Sequence, residues 1–417
     1  MAILRKLSEF MQLSMVAHAK WDYETSMNIL RSGKRKWIPV LIAALLPILI
    51  YMVADAGDII GGKKAYAPAF YSTTVFLVSI GIGFCAGLIT GCIGAGGGFI
   101  ITPALMAAGV RGILAVGTDL FHIFAKAIMG SVLHKKLGNV NAKIAIAFLV
   151  GSIGGATLGG YLQKLVYSKD PIMSDAFLSI IYALILGLLG WYGVSDLIKK
   201  RKLARTPLEM RPPTAAEKRL AFKLQSINLP PTIRFDEDIV PGGRKISGVI
   251  LAAGGFLVGF VSSLMGVGGG FITFPLFVYV FGISTFTTVG TDIFQIIFTA
   301  GYAGISQYAI YGFVFYTLAM GLLLGSLIGI QIGALTTKVV SGSTIKGFWV
   351  TTILAGFINR LTVIPKQFND LGIINIPKSL AQGIETAGFF IFWIIIAIFV
   401  FWVMLSFFKN IKTFREG

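Results

Sequence analysis

What this 417-residue chain lacks narrows its identity first. It has 2 cysteines and 3 histidines; His18, His122 and His134 are scattered, so no disulfide scaffold or Cys/His metal cluster can be written from them. Charged residues make up 13% of the chain and hydrophobic ones 55%, with a mean hydropathy of +0.82. That balance excludes an ordinary soluble domain and is the composition of a polytopic membrane protein. No Gly-Lys-Ser/Thr follows its glycine clusters, and a Gly-x-Gly-x-x-Gly reading begun at Gly94 or Gly266 meets Phe99 or Phe271, so neither nucleotide fingerprint is present. No nucleophile–base pair stands out, which argues against an enzyme, and no cofactor is expected. Acidic residues are scarce, 18 against 36 basic. The resulting charge of +18 lies mostly in loops, at 31–36, 135–143, 199–245 and 409–415, which is the pattern of cytoplasmic loops facing anionic lipid and not of a nucleic-acid surface.

What is abundant is glycine, and it is written twice. Gly83–Pro103 aligns without a gap on Gly255–Pro275 with 10 identities in 21 positions, too many for two unrelated apolar segments. Each copy carries a triplet, Gly96–Gly98 and Gly268–Gly270, inside an apolar run, and ends at Pro103 or Pro275. Three successive glycines break a helix, at about 1 kcal/mol each relative to Ala, and free backbone N–H groups. Such backbone is tolerated at membrane depth only inside protein or along a polar cavity. Each copy therefore reads as helix, break and half-helix, with the N-terminus of the half-helix aimed inward as an anion-binding geometry. Close packing is the competing reading of the triplets; it is the preferred one for the ladder Gly151, Gly155 and Gly159.

Apolar runs near 37–54, 113–134, 142–167, 176–198, 286–308, 313–337, 346–364 and 384–408 are each of spanning length, and the glycine copies lie in runs at 73–110 and 247–283. With each glycine copy taken as a hairpin, placing basic loops inside gives a consistent topology. The fold expected is all-α and polytopic, with two inverted repeats, each a broken or re-entrant helix hairpin plus three transmembrane helices, and an extra helix at each end. The expected divisions are a cytoplasmic segment at 1–36, amphipathic on the membrane or packed; a first span and outer loop at 37–72; repeat 1 at 73–198; a basic, largely irregular linker at 199–245; repeat 2 at 246–364; and an outer loop, last span and tail at 365–417. Residues 1–36 lack the layout of a cleavable signal, and both termini are expected in the cytoplasm of a bacterial or archaeal inner-membrane protein.

These residues resemble the sulfite exporter TauE/SafE family of membrane permeases. The likeness rests on the duplicated Gly-x-Gly-Gly-Gly-Phe-x-x-x-Pro at 94–103 and 266–275, on Val-Gly-Thr-Asp at 116–119 and 289–292, and on Gly151, Gly155 and Gly159 answered by Gly325, Gly329 and Gly333. It covers roughly residues 73–408. The resemblance implies secondary transport of sulfite or another small sulfur-containing or organic anion. The alternative is a membrane assembly or redox partner using Cys85 and Cys92, which otherwise read as small packing residues.

The residues expected to hold the anion are Gly96, Gly97, Gly98 and Phe99 in the first copy, Gly268, Gly269, Gly270 and Phe271 in the second, and Thr118, Thr291, Lys126 and Gln295 beside them. Lys126, an intramembrane cation, reads either as facing a cavity to attract the anion, or as snorkelling or pairing with Asp119. Asp119 and Asp292 are candidates for a coupling proton or cation, against the preferred reading of helix N-caps. Arg360 reads as snorkelling to the interface in preference to touching substrate. Oligomeric state is left open.

Overall fold

The structure is a computed structural model and describes residues 73–93, 98–136, 140–203, 221–236, 243–336, 340 and 342–410, together with Glu24. The segments 1–23 and 25–72, with the expected amphipathic segment and first span, lie outside the described residues, as do Gly96 and Gly97.

Helices dominate, and the first copy runs α1 (Thr73–Ile93), α2 (Gly98–Ala107), α3 (Gly112–Lys136), α4 (Ala142–Lys169) and α5 (Pro171–Leu203). The second copy repeats the order with α6 (Gly248–Met265), α7 (Gly270–Pro275), α8 (Thr285–Tyr302), α9 (Tyr316–Thr336) and α10 (Gly342–Asp370), followed by α11 (Lys378–Lys409). A long helix followed by a short one thus appears twice at the places the sequence indicates, and in the second copy the glycine break between them is described. Pro275 ends α7, and the helix continues with the wider π turn over Leu276–Val280; a proline has no N–H to close an ordinary turn.

Six helical stretches among the described residues are long and apolar enough to cross a membrane: 142–169, 171–195, 248–265, 290–311, 316–336 and 378–409. Large apolar side chains stand on their outer faces, Trp191 at 71% exposure and Val150, Leu188 and Phe401 close behind. In water that surface would be a liability; against lipid it costs nothing. The chain is a multi-pass membrane protein.

Two crossings hold the copies together, and glycine makes both possible. Along α4 a Cβ on Gly151, Gly155 or Gly159 would run into the carbonyls of Ala252, Phe256 and Phe260 on α6; along α1, Gly83, Gly87 and Gly91 meet Leu322, Ser326 and Ile330 on α9 in the same way. Both registers advance together, so each pair is parallel, and exchanging the copies exchanges the pairs. The packing expected of Gly151, Gly155 and Gly159 is found. Equivalent helices also meet. Gly187 and Gly190 of α5 pack on Phe357 and Leu354 of α10, and Gly117 and Phe124 of α3 pack on Tyr308 and Gly301 at α8 and its extension, both pairs antiparallel.

The segment 199–245 departs from the irregular linker expected. Within it, residues 221–225 are helical, and β1 (Thr232–Phe235) pairs antiparallel with β2 (Arg244–Ser247). Ile233, Phe235 and Ile246 face inward and join Phe148, Leu251, Phe277 and Phe281 in a second apolar core. Asp236 follows β1 and accepts hydrogen bonds from Ser284 N–H (2.8 Å), Ser284 Oγ (2.7 Å) and Thr287 Oγ1 (2.7 Å), fastening the hairpin to the start of α8.

Candidate functional site

The site is built where the two breaks touch. Gly98 opens α2 so close to the other copy that a Cβ there would lie 2.8 Å from Val267 Cα. Gly266 stands against Val116 and Thr102 in the same fashion, and Gly268 against Ile123. In the second break Gly266, Gly268 and Gly269 all have positive φ, at 77°, 68° and 86°, a run that L side chains resist and glycine accepts. Ending α6 at Met265 leaves carbonyls without helical partners, and tyrosines from elsewhere take them. Tyr182 on α5 donates to Met265 O, and Tyr308 donates to Ser263 O at 2.5 Å. Phe99 is buried beside the first break.

Two polar clusters flank the breaks, and they are counterparts. On α3, Asp119 Oδ2 accepts from Thr102 Oγ1 of α2 at 3.0 Å, Asp119 Oδ1 faces His122 Nδ1 at 3.4 Å, and His122 Nε2 lies 2.9 Å from Ser326 Oγ of α9. Lys126 follows one turn later, half-buried, near enough for its charge to act on Asp119 and His122. On α8, Gln295 Nε2 donates to Asp292 Oδ1 at 3.0 Å and approaches Thr273 Oγ1 of α7 at 3.5 Å, while Thr299 Oγ1 donates to Gln295 Oε1 at 2.7 Å. Asp292, Gln295 and Thr299 stand where Asp119, His122 and Lys126 stand in the other copy. Asp119 Oδ1, His122 Nδ1, Asp292 Oδ2 and Ser262 Oγ are buried without hydrogen-bond partners.

The N-cap reading of Asp119 and Asp292 is overturned. Both lie inside their helices, because α3 begins at Gly112 and α8 begins at Thr285 with Ser284 as its cap. The preceding threonines are tied across the copies. Thr118 Oγ1 accepts from Phe315 N at 2.9 Å, just before α9, and Thr291 Oγ1 accepts from Asn141 N at 3.0 Å, just before α4. Arg360 does not snorkel: it is 2% exposed, inside the protein, with Nε and Nη2 both donating to Asn359 Oδ1 at 2.9 and 2.5 Å. Cys92 is buried with Sγ 3.3 Å from Gly333 O, a packing position on the α1–α9 crossing.

The structure therefore brings together Gly98, Phe99, Gly268, Gly269, Gly270, Asp119, Asp292, Gln295 and Lys126 around the paired breaks. His122, Ser326, Thr102 and Thr273 belong to the same clusters and were not singled out from sequence. A signal for His122 existed: extending the Val-Gly-Thr-Asp alignment by three residues sets His122 opposite Gln295, a polar pair in an apolar helix. Among the described residues no three His, Cys, Asp or Glu side chains gather as a metal site.

A family model described as Sulfite exporter TauE/SafE matches residues 79–360, more than half of the chain. Among curated proteins, the chain is 26% identical over 279 residues to a probable membrane transporter protein YunE of Bacillus subtilis, covering 65% of this chain and 91% of that protein. It is 27% identical over 257 residues to probable membrane transporter protein YjnA of the same organism, 61% of this chain and 87% of the relative. Sulfite exporter TauE/SafE family protein 6 of Arabidopsis thaliana is 39% identical over 84 residues, 20% of each chain. No solved structure matches.

Proposed function

The chain belongs to the sulfite exporter TauE/SafE family, and from that premise we propose that it is a secondary active transporter carrying sulfite or a related sulfur-containing or organic anion across a bacterial or archaeal inner membrane. The observation that carries the reading is the meeting of the two glycine breaks, with Gly98 packed on Val267 and two buried polar clusters alongside. The anion sits near the bilayer midplane between the breaks. Backbone N–H groups of Gly96–Gly98 and Gly268–Gly270 are its main ligands, with Phe99 and Phe271 shaping the pocket and Lys126 and Gln295 adding polar attraction. Thr118 and Thr291 border the site while bracing it, since their hydroxyls hold Phe315 and Asn141. Asp119 and Asp292 are the candidate carriers of a coupling proton or cation.

The antiparallel meeting of equivalent helices, α5 with α10 and α3 with α8, supports inverted repeats. An inverted pair offers the same site to either side of the membrane by rocking one half on the other. In this topology the N-terminus, the 199–245 segment and the C-terminus share the cytoplasmic side, their basic residues against anionic lipid.

Flux decides the reading. Purified protein in liposomes should move labelled sulfite, thiosulfate, sulfate or an alkyl sulfonate above protein-free vesicles under an imposed anion or pH gradient. Absence of movement for all four, in either direction, would remove the transport assignment.

A further inference from the structure

The first polar cluster turns two buried titratable atoms toward each other, Asp119 Oδ1 and His122 Nδ1, with no hydrogen-bond partner for either. Ser326 Oγ lies 3.1 Å from Leu323 O and 2.9 Å from His122 Nε2; while its hydrogen is given to Leu323 O, it accepts from His122 Nε2–H. A neutral imidazole with its hydrogen on Nε2 presents a bare lone pair at Nδ1. That lone pair faces Asp119 Oδ1 at 3.4 Å, while the other carboxylate oxygen is already served by Thr102. Both atoms are buried without partners, in side chains 0% and 1% exposed. In that tautomer two acceptors are turned toward each other in a dry interior and repel. A proton carried by either one relieves the repulsion, as does the opposite tautomer with Ser326 donating to Nε2, so the pair holds a proton in more than one arrangement.

The second copy answers the same requirement differently. Gln295, at the place of His122, supplies a fixed amide donor to Asp292 Oδ1, and an amide neither takes up nor releases a proton near neutral pH. The carboxylate–imidazole pair therefore exists in one copy and not in the other, where Asp292 faces an amide.

Around it stand Lys126 one turn along α3, Tyr182 from α5 with Arg360 of α10 and Tyr308 beside it, and hydroxyls from α2 and α9. Tyr316 of α9 reaches the same stretch of α3, edge-on to Phe121 with ring centroids 5.7 Å apart. Thr102 joins the cluster to the second break, its Oγ1 lying 2.9 Å from where a Cβ on Gly266 would be.

We propose that Asp119 and His122 form a proton-binding site, closed by Thr102 and Ser326, whose occupancy couples one proton to the passage of the anion between the breaks. The proton comes from water on one side, is shared between Asp119 Oδ1 and His122 Nδ1, and leaves to water on the other side; no other atom changes hands. The coupling rests on the transport reading above, whereas the proton site itself does not.

Two measurements on the full-length protein test them separately. In substrate-free protein, infrared spectra differenced between acidic and alkaline buffer should contain a protonated-carboxyl band that disappears in Asp119→Asn. Its midpoint should move by about one pH unit or more in His122→Gln, the residue of the other copy. In liposomes loaded with a pH-sensitive dye, sulfite and thiosulfate are the probes. Their movement by the parent protein should carry protons with it, and His122→Gln should lower accumulation driven by a pH gradient at least tenfold more than it lowers anion exchange at equal pH. Thermal melting of each variant separates these effects from misfolding. A band unchanged by both substitutions overturns the proton site. Anion movement without proton movement in the parent overturns the coupling. If the parent moves neither of these probes nor sulfate nor an alkyl sulfonate, the transport reading and the coupling fall together, and the infrared result alone decides whether the proton site stands.

Discussion

Gly269 has φ of 86° and its missing Cβ would lie 2.8 Å from Val258 Cγ1, so an alanine there meets backbone strain and a side-chain contact at once. Strain of that kind costs about 1–3 kcal/mol, small enough for the fold to absorb and large enough to move the N–H groups that follow. Gly269→Ala should therefore express and melt close to the parent while losing most anion flux in liposomes. Equal flux would mean that the glycines only pack. Lys126→Met removes a charge and keeps much of the apolar stem. It should raise the anion concentration needed for half-maximal flux by several-fold and leave thermal stability unchanged; an unaltered half-saturation would leave Lys126 with no part in binding. At this scale the sequence was partly transparent. Positive φ at Gly269 follows from a triplet that no helix accommodates. Asp119 and Asp292 stand out because they recur, but they are not caps, because α3 and α8 begin several residues earlier than Gly-Thr-Asp suggests. His122 reads from sequence as one of 3 dispersed histidines; Asp119 is local to it, three residues earlier on α3, but Ser326 reaches it only when α3 packs on α9.

Between elements, the least legible feature is the hairpin of β1 and β2. Prolines and a dense run of charge from 199 onward argue for irregular chain, and two four-residue strands are too short to display an alternation. What orders them is tertiary: Phe235 and Ile246 have an apolar floor to cover, and Arg244 Nη1 donates to Gly282 O at 2.6 Å while Gln225 Nε2 donates to Phe281 O at 2.7 Å. Asp236 completes the attachment at the N-terminus of α8, the helix that carries Asp292 and Gln295. Asp236→Ala leaves Ser284 N–H and two hydroxyls without their shared acceptor and should lower stability by about 2–3 kcal/mol, read as a reduced melting temperature in detergent. A variant melting like the parent would show that apolar contact alone holds the hairpin. The broken helices, in contrast, were readable at once, because glycine triplets and a following proline act locally and need no partner to take effect.

Over the whole molecule, the duplicated sequence and the distribution of basic loops argue for two halves of opposite orientation, and the packing bears on that argument independently of charge. Parallel crossings of α1 with α9 and of α4 with α6 exchange when the copies exchange, while the equivalent helices α5 and α10 meet antiparallel. In the inverted arrangement we propose, a two-fold axis that maps each helix onto an antiparallel equivalent lies across the helices, in the plane of the bilayer. Loops at corresponding positions of the two halves then face opposite sides, a consequence that accessibility can check without knowing the substrate. Cysteines introduced at Ser168, at the end of α4, and at Asn369, near the end of α10, should react with an impermeant thiol reagent added outside intact cells. One at Thr214, in the basic segment, should react only after the membrane is opened. The reversed pattern would turn the whole molecule over while keeping its symmetry. Reaction of Thr214, which follows α5, from the same side as Asn369, at the end of the equivalent α10, would break the antiparallel relation, and with it the reason for placing one anion site between two breaks.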